Sequence, residues 1–314
     1  MAKETAKKSK PVKKPNPEWD RFVRRFTLNA GVIGFLLVLG TVGFLYLRRY
    51  VERKSFPTDP PDIVLVNRPV WMSDFLAEQI ANTARPRTAH SPFDQQMLID
   101  SVAMLRTNPW IKDVKQIRRA YRKSPGDILE IDCTYRAPIA IVQWGDFFSL
   151  VDGEGVKLPE QFTFAQLSKI MFGQDGRMNI RIIDGVSRPP PEPGHKWIGD
   201  DLTAGLALVK LLYGQPYAEE IRTVRISNFG GRVDPKEAWL VCVTREQTEI
   251  RWGRVKDNDP AEVSIAQKLL YLNQIVEKYH RVDANHSAVD IRFDRVTFPS
   301  DEEHRTSPAA DSGR

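Results

Sequence analysis

An uncharged run of eighteen residues, Ala30 to Leu47 (AGVIGFLLVLGTVGFLYL), constrains this 314-residue chain more than any other feature. As a helix rising 1.5 Å per residue it would span about 27 Å, close to the hydrocarbon thickness of a bilayer. Arg24 and Arg25 bound it on one side, Arg48 and Arg49 on the other. A core helix would carry a polar face, yet the polar side chains here are only Thr41 and Tyr46. A secretory leader would end in small residues, whereas this run ends in Tyr46-Leu47-Arg48-Arg49. The run therefore reads as a membrane anchor. Six Lys/Arg in residues 10–29 against four in 48–67 favour a cytoplasmic N-terminus. Ala30 and Gly34 alone have the small-xxx-small spacing of packed membrane helices.

Outside the anchor, charge restricts the choice of partner. The chain has 46 Lys+Arg and 40 Asp+Glu, and residues 1–29 hold nine of the basic and three of the acidic ones. That leaves 37 of each, so the rest is neutral and lacks the basic excess a nucleic-acid binder needs against phosphates. Two cysteines exclude a disulfide-dense scaffold or a Cys-rich zinc module. Cys133 and Cys242 fall in strands of different expected domains and read as unpaired buried thiols, a disulfide being the alternative. Residues 1–20 are Lys- and Pro-rich, and residues 300–314 are polar; both read as disordered tails.

Between the tails, pattern gives the elements. Ile63–Val66 is a short strand. Ser73 or Asp74 caps a helix running to about Asn82, with Phe75, Leu76 and Ile80 apolar. Ser91-Pro92 starts a second helix with the stripe Phe93, Met97, Leu98, Val102, Leu105, ended by Asn108-Pro109. Strands follow at 115–121 and 129–135, the latter alternating Leu129, Ile131, Cys133 and Tyr135 with polar residues. Further strands are expected at 139–144 and 147–151, before the turn Asp152–Gly155.

Four segments in this order carry a resemblance: Asn108-Pro109-Trp110-Ile111, Leu129-Glu130-Ile131, Arg136-Ala137-Pro138-Ile139-Ala140, and Leu150-Val151-Asp152-Gly153-Glu154-Gly155. They resemble the bacterial cell-division family FtsQ/DivIB, whose strand–helix–helix–strand–strand module is a POTRA domain. Tyr135 stands where that family usually has Glu. In the second half, Ile182-Ile183-Asp184-Gly185, Arg251-Trp252-Gly253 and Val289-Asp290-Ile291-Arg292-Phe293 resemble segments of the family's β domain. The pattern adds a helix at 201–213 and strands at 221–226, 238–243 and 249–252. A long helix is expected from Asp259 as cap, with Pro260 first and Glu262 completing a capping box. Its stripe is Ile265, Leu269, Leu272, Val276 and Tyr279, and it reads as core packing.

Candidate catalytic and metal sites are few. The chain holds no G-x-S-x-G, H-E-x-x-H, Walker or G-x-G-x-x-G motif. His280 and His286 flank Asp283 as a metal fragment without a nearby third ligand, and read as loop residues. Asp152 and Glu154 read as turn residues rather than an acid pair, and Trp110 as a packing residue.

The expected fold is thus α+β. A basic cytoplasmic tail (1–29) precedes a transmembrane helix (30–47) and a linker (48–62). A POTRA domain (63–158, β-α-α-β-β) and an insertion or linker (159–180) follow. A β-rich domain (181–299), with a long C-terminal helix and terminal edge strands, precedes the tail (300–314). The resemblance implies a non-enzymatic divisome scaffold in the cytoplasmic (inner) membrane, its body on the outer side, acting during septum formation. Its implied partners are the FtsB- and FtsL-like single-pass proteins, with no cofactor, metal, nucleic acid or small-molecule substrate. By resemblance the partner strand adds at Phe293, Arg295, Val296, Thr297 and Phe298, and Thr297→Pro is expected to weaken capture without unfolding. The alternatives are a POTRA-bearing secretion or outer-membrane assembly factor and a membrane-anchored cell-wall hydrolase.

Overall fold

The structure, a computed structural model, describes residues 17–55, 60–87, 94–122, 125–171, 180–256 and 260–299. Outside the described residues lie most of the basic tail, residues 56–59, the Ser91-Pro92 helix start, residues 172–179, Asp259 and the 300–314 tail. The chain divides into two compact units, one from 1–62, 86–97 and 119–128, the other from 63–85, 98–118 and 129–314.

The first unit is built on α1 (Pro17–Ser55). Within it, Ala30–Val51 is 22 residues long with mean hydropathy 2.2, and so is long and apolar enough to cross a membrane. None of that stretch is buried. The consecutive residues Phe35, Leu36, Leu37 and Val38 are all exposed, so apolar surface wraps the whole circumference. The Thr41 hydroxyl donates back to the Leu37 carbonyl, which satisfies a polar group inside the apolar run.

The second unit is mixed α and β. It starts with β1 (Asp62–Val66), α2 (Asp74–Ala84), α3 (Gln95–Arg106), β2 (Ile111–Tyr121) and β3 (Pro125–Tyr135), although the first residue of β1, the start of α3 and one tip each of β2 and β3 belong to the first unit. The three strands form one sheet in the order β1-β3-β2. Ser73 caps α2 by accepting from the Leu76 N–H at 3.2 Å. The Asn108-Pro109-Trp110 turn is held by its Asn, which accepts from the Trp110 N–H at 3.0 Å and donates to Thr83 at 3.0 Å.

A larger mixed sheet follows. Its strands are β4 (Pro138–Trp144), β5 (Phe147–Asp152), β6 (Lys157–Thr163), β7 (Arg181–Asp184), β8 (Ile221–Arg225), β9 (Leu240–Thr244), β10 (Glu249–Gly253) and β11 (Ala288–Asp290). Their order is β11-β10-β9-β8-β7-β4-β5-β6. α5 (Asp200–Leu212) lies on β4, β7 and β8. Gly205 permits this closeness, because a Cβ there would sit 3.2 Å from both Ile183 and Ile226. α6 (Ile265–Tyr279) buries Leu272 and Ile275 in the same core, and Ile265, Leu269, Val276 and Tyr279 pack around it.

Three boundaries differ from the sequence reading. The change of sheet falls at Arg136-Ala137, not at residue 158, because β4 pairs in parallel with β7. The 159–180 segment is in part a sheet edge: β6 pairs antiparallel with β5, and α4 (Phe164–Met171) follows it. Leu167 within this segment and Leu158 just before it are buried, which gives the chain a reason to fold back here. Finally, α6 begins at Ile265 with Ser264 as its cap, so Pro260 precedes the helix.

Candidate functional site: the terminal edge

β11 is the last strand of the large sheet and pairs in parallel with β10, Ile250 opposite Val289. Its three residues are buried. The chain then bends through 292–295 and returns to β11 at a single antiparallel bridge, Asp290↔Thr297. The expected strand over 295–298 is thus reduced to one bridge.

The bend is built around Asp290. Its carboxylate accepts from the Arg292 backbone N–H at 3.0 Å and from the Arg292 guanidinium at 2.6 Å. Burial opposes the charge on Arg292, but the hydrogen bonds and field of Asp290 win and raise its pKa further. The Arg292 carbonyl accepts from the Val263 N–H at 2.9 Å, and the Tyr271 hydroxyl donates to the Asp294 carbonyl at 2.5 Å. Both contacts tie the bend to the α6 region. The Arg292 guanidinium lies 4.9 Å over the Phe293 ring.

The five residues expected at the partner edge divide into two groups. Val296 and Phe298 pack against the large core, where the Phe298 ring stacks on His286 at 4.3 Å and meets Tyr279 edge-on at 6.3 Å. Phe293, Arg295 and Thr297 are exposed.

The backbone decides what this edge can do. Thr297 donates to the Asp290 carbonyl at 3.1 Å and accepts from the Asp290 N–H at 2.8 Å. In an antiparallel pair, the neighbours of a doubly bonded residue direct their N–H and C=O the other way. Those neighbours are Val296 and Phe298, and neither backbone bonds to a described residue. The outward donors are therefore at 296 and 298. A proline at 297 would break the protein's own bridge, which corrects the expectation for Thr297→Pro.

Asp290 and Arg292 stand in the Val289–Phe293 segment, where the sequence pattern assigns them no role. The signal was present: acid and guanidinium two residues apart can close on each other across a bend. His286, Tyr271 and Tyr279, which brace the edge, carried no such signal.

The other candidates resolve into structure. Asp152 accepts from the Glu154 and Val156 N–H groups at 2.8 Å each and from Arg136 at 2.6 Å, while Glu154 pairs with Lys112 at 2.7 Å. Asp283 binds Arg281 at 2.6 Å and His280 is the left-handed cap residue of α6. Among the described residues no group of three or more His, Cys, Asp or Glu is placed to hold a metal ion. Trp110 is buried and donates to Glu160 at 3.1 Å. The buried Tyr135 hydroxyl has no hydrogen-bond partner among the described residues, and burial pushes its pKa up. Neither protein-family models nor curated proteins provide a match for this chain.

Proposed function

We propose that this protein is a membrane-anchored, non-enzymatic scaffold of the bacterial divisome, of the FtsQ/DivIB kind. In this reading Ala30–Leu47 spans the cytoplasmic membrane with the N-terminus inside. The module of β1, α2, α3, β2 and β3 is a POTRA domain, a reading supported by its element order and the central place of β3. The scaffold recruits an FtsB- or FtsL-like segment during septum formation by strand addition.

The observation that carries the proposal is the terminal edge. The Val296 and Phe298 backbones bond to no described residue and flank the inward-bonded Thr297, on a terminal segment braced from behind by Asp290, His286 and Tyr279. Such an edge offers backbone hydrogen bonds to an extended partner, while exposed Phe293, Arg295 and Thr297 supply side-chain selectivity.

The test is capture of a purified FtsB-like segment by the full-length chain. Val296→Pro removes one outward N–H and keeps an apolar side chain of similar size, so capture should weaken about tenfold while the unfolding midpoint holds. Thr297→Pro should instead lower the midpoint. Undiminished capture by Val296→Pro would exclude the edge as the docking strand.

A further inference from the structure

The turn between β1 and α2 exposes apolar side chains that the reading above leaves unused. Val70 is fully exposed, Phe75 is 71% exposed and Trp71 is 43% exposed. All three lie within six residues of one another. The turn that presents them is closed by hydrogen bonds. The Met72 N–H donates to the Pro69 carbonyl at 3.1 Å, and Arg68 donates to the Met72 carbonyl at 2.6 Å. Trp71 leans on Trp110 with ring centroids 5.9 Å apart, and Met72 beside it is buried. Asp74, the acid nearest the tip, is paired with Arg68 at 2.6 Å, and the next acid, exposed Glu78, lies a helical turn beyond Phe75.

Area and tether identify the occupant. Three such side chains offer roughly 400 Å² of apolar surface, given 150–250 Å² for a full aromatic. That is about half of what a stable protein interface needs from one partner. It suits shallow insertion into a lipid surface, where a Trp beside aliphatic residues sits at the headgroup level. A lone shallow insertion is weak, but Val70 follows the end of the Ala30–Val51 stretch by only 19 residues. That tether reaches at most about 65 Å, which keeps the turn at high effective concentration over any bilayer the helix crosses.

We propose that Val70, Trp71 and Phe75 form a lipid-docking turn that inserts into the outer leaflet of the membrane spanned by α1. The proposal rests on the membrane-anchor reading and adds a second, shallow contact to it.

The experiment uses the full-length chain in phosphatidylcholine vesicles. An environment-sensitive nitrobenzoxadiazole label is placed at Val70→Cys, at Leu39→Cys or at Ile198→Cys, the last being 68% exposed and far along the chain. The native Cys133 and Cys242 are buried and escape labelling in the folded protein. Phosphatidylcholine carrying a doxyl quencher high or low on its acyl chain then reports depth. The proposal expects Val70 emission to be lost to the shallow quencher, Leu39 emission to be lost to the deep one, and Ile198 emission to be unaffected. Phe75→Asp in the Val70→Cys background should restore the emission. Quenching at Leu39 without quenching at Val70 overturns the docking turn and leaves the anchor standing. No quenching at Leu39 overturns the anchor, and the turn with it. Val70 quenching that survives Phe75→Asp shows that the label itself seeks lipid, and overturns the proposal.

Discussion

Lys268 is almost wholly buried, at 1% side-chain exposure, and it survives there because its charge is fully answered. Its ammonium donates to the Glu262 carboxylate at 2.6 Å and to the Arg254 carbonyl at 3.0 Å, and lies 5.7 Å from the Trp252 ring centroid. Glu262 also accepts from the Arg254 N–H at 2.8 Å. Gly253 must stay small, since its φ is +81° and a Cβ would fall 2.3 Å from the Glu262 carboxylate. Glu262→Gln would leave Lys268 buried without its counter-charge. A loss of about 3 kcal/mol is expected, measured by urea unfolding. The sequence suggested a different job for Glu262. Asp-Pro-x-Glu is the signature of a helix start, and the buried lysine that claims the carboxylate lies six residues further on, where local pattern does not look. Asp201 makes the same point with pH. Burial alone would raise its pKa, but hydrogen bonds from Ser187, Leu202 and Arg232 overturn that and hold it below the usual carboxylate value. A carboxylate with a depressed folded pKa contributes stability above the unfolded pKa and loses it as pH falls through the folded one. The urea midpoint should therefore drop below about pH 4, and Asp201→Asn should flatten that slope while lowering the plateau at neutral pH.

At the scale of elements, periodicity located most helices and strands but not β6 or α4, and tertiary demands moved the ends of the others. α6 is the instructive case. Its apolar stripe lies where spacing put it, and Leu272 is buried. Its start shifts because Glu262 is drawn into the lysine pair, so the cap passes to Ser264, which accepts from the Gln267 N–H at 3.2 Å. Ser264→Ala should cost about 1 kcal/mol, whereas Pro260→Ala should leave the unfolding midpoint nearly unchanged. A double result of this kind, read by thermal melting, separates the two caps. The terminal edge shows the same division of labour. Alternation suggested a strand at 295–298, but the Asp290–Arg292 closure bends the chain first and leaves a single bridge at Thr297. A five-residue window does not reveal which N–H groups face outward. That depends on which residue is bonded inward, and here it is Thr297.

At the scale of the molecule, the sequence suggests two modules joined by an insertion, and within the second unit one core cluster runs across the change of sheet. One core cluster gathers Met72, Ile80, Leu105, Trp110, Ile131 and Cys133 from the three-stranded sheet and its helices together with Ile141, Phe148, Leu150, Leu158 and Ile182 from the large sheet. Arg136, at the change of sheet, donates to the buried Asp152, and its N–H donates to the Trp110 carbonyl at 2.9 Å. This continuity was invisible in the sequence because alternation marks which face of a strand is buried, not which sheet covers it. Two elements that share a dry core lose that core together, so the second unit should unfold as one cooperative body. The two cysteines report on this independently. Cys133 belongs to the small sheet and Cys242 to the large one, and neither is in a disulfide. Burial pushes their thiols up to about 11 and about 12, so neither is a ready nucleophile while folded. Pulsed alkylation across a urea series should therefore label both at the same midpoint, and Ile131→Ala should move both midpoints down together. Labelling of Cys133 well before Cys242 would show instead that the small sheet opens alone, and would restore the two separate modules that the strand pattern suggested.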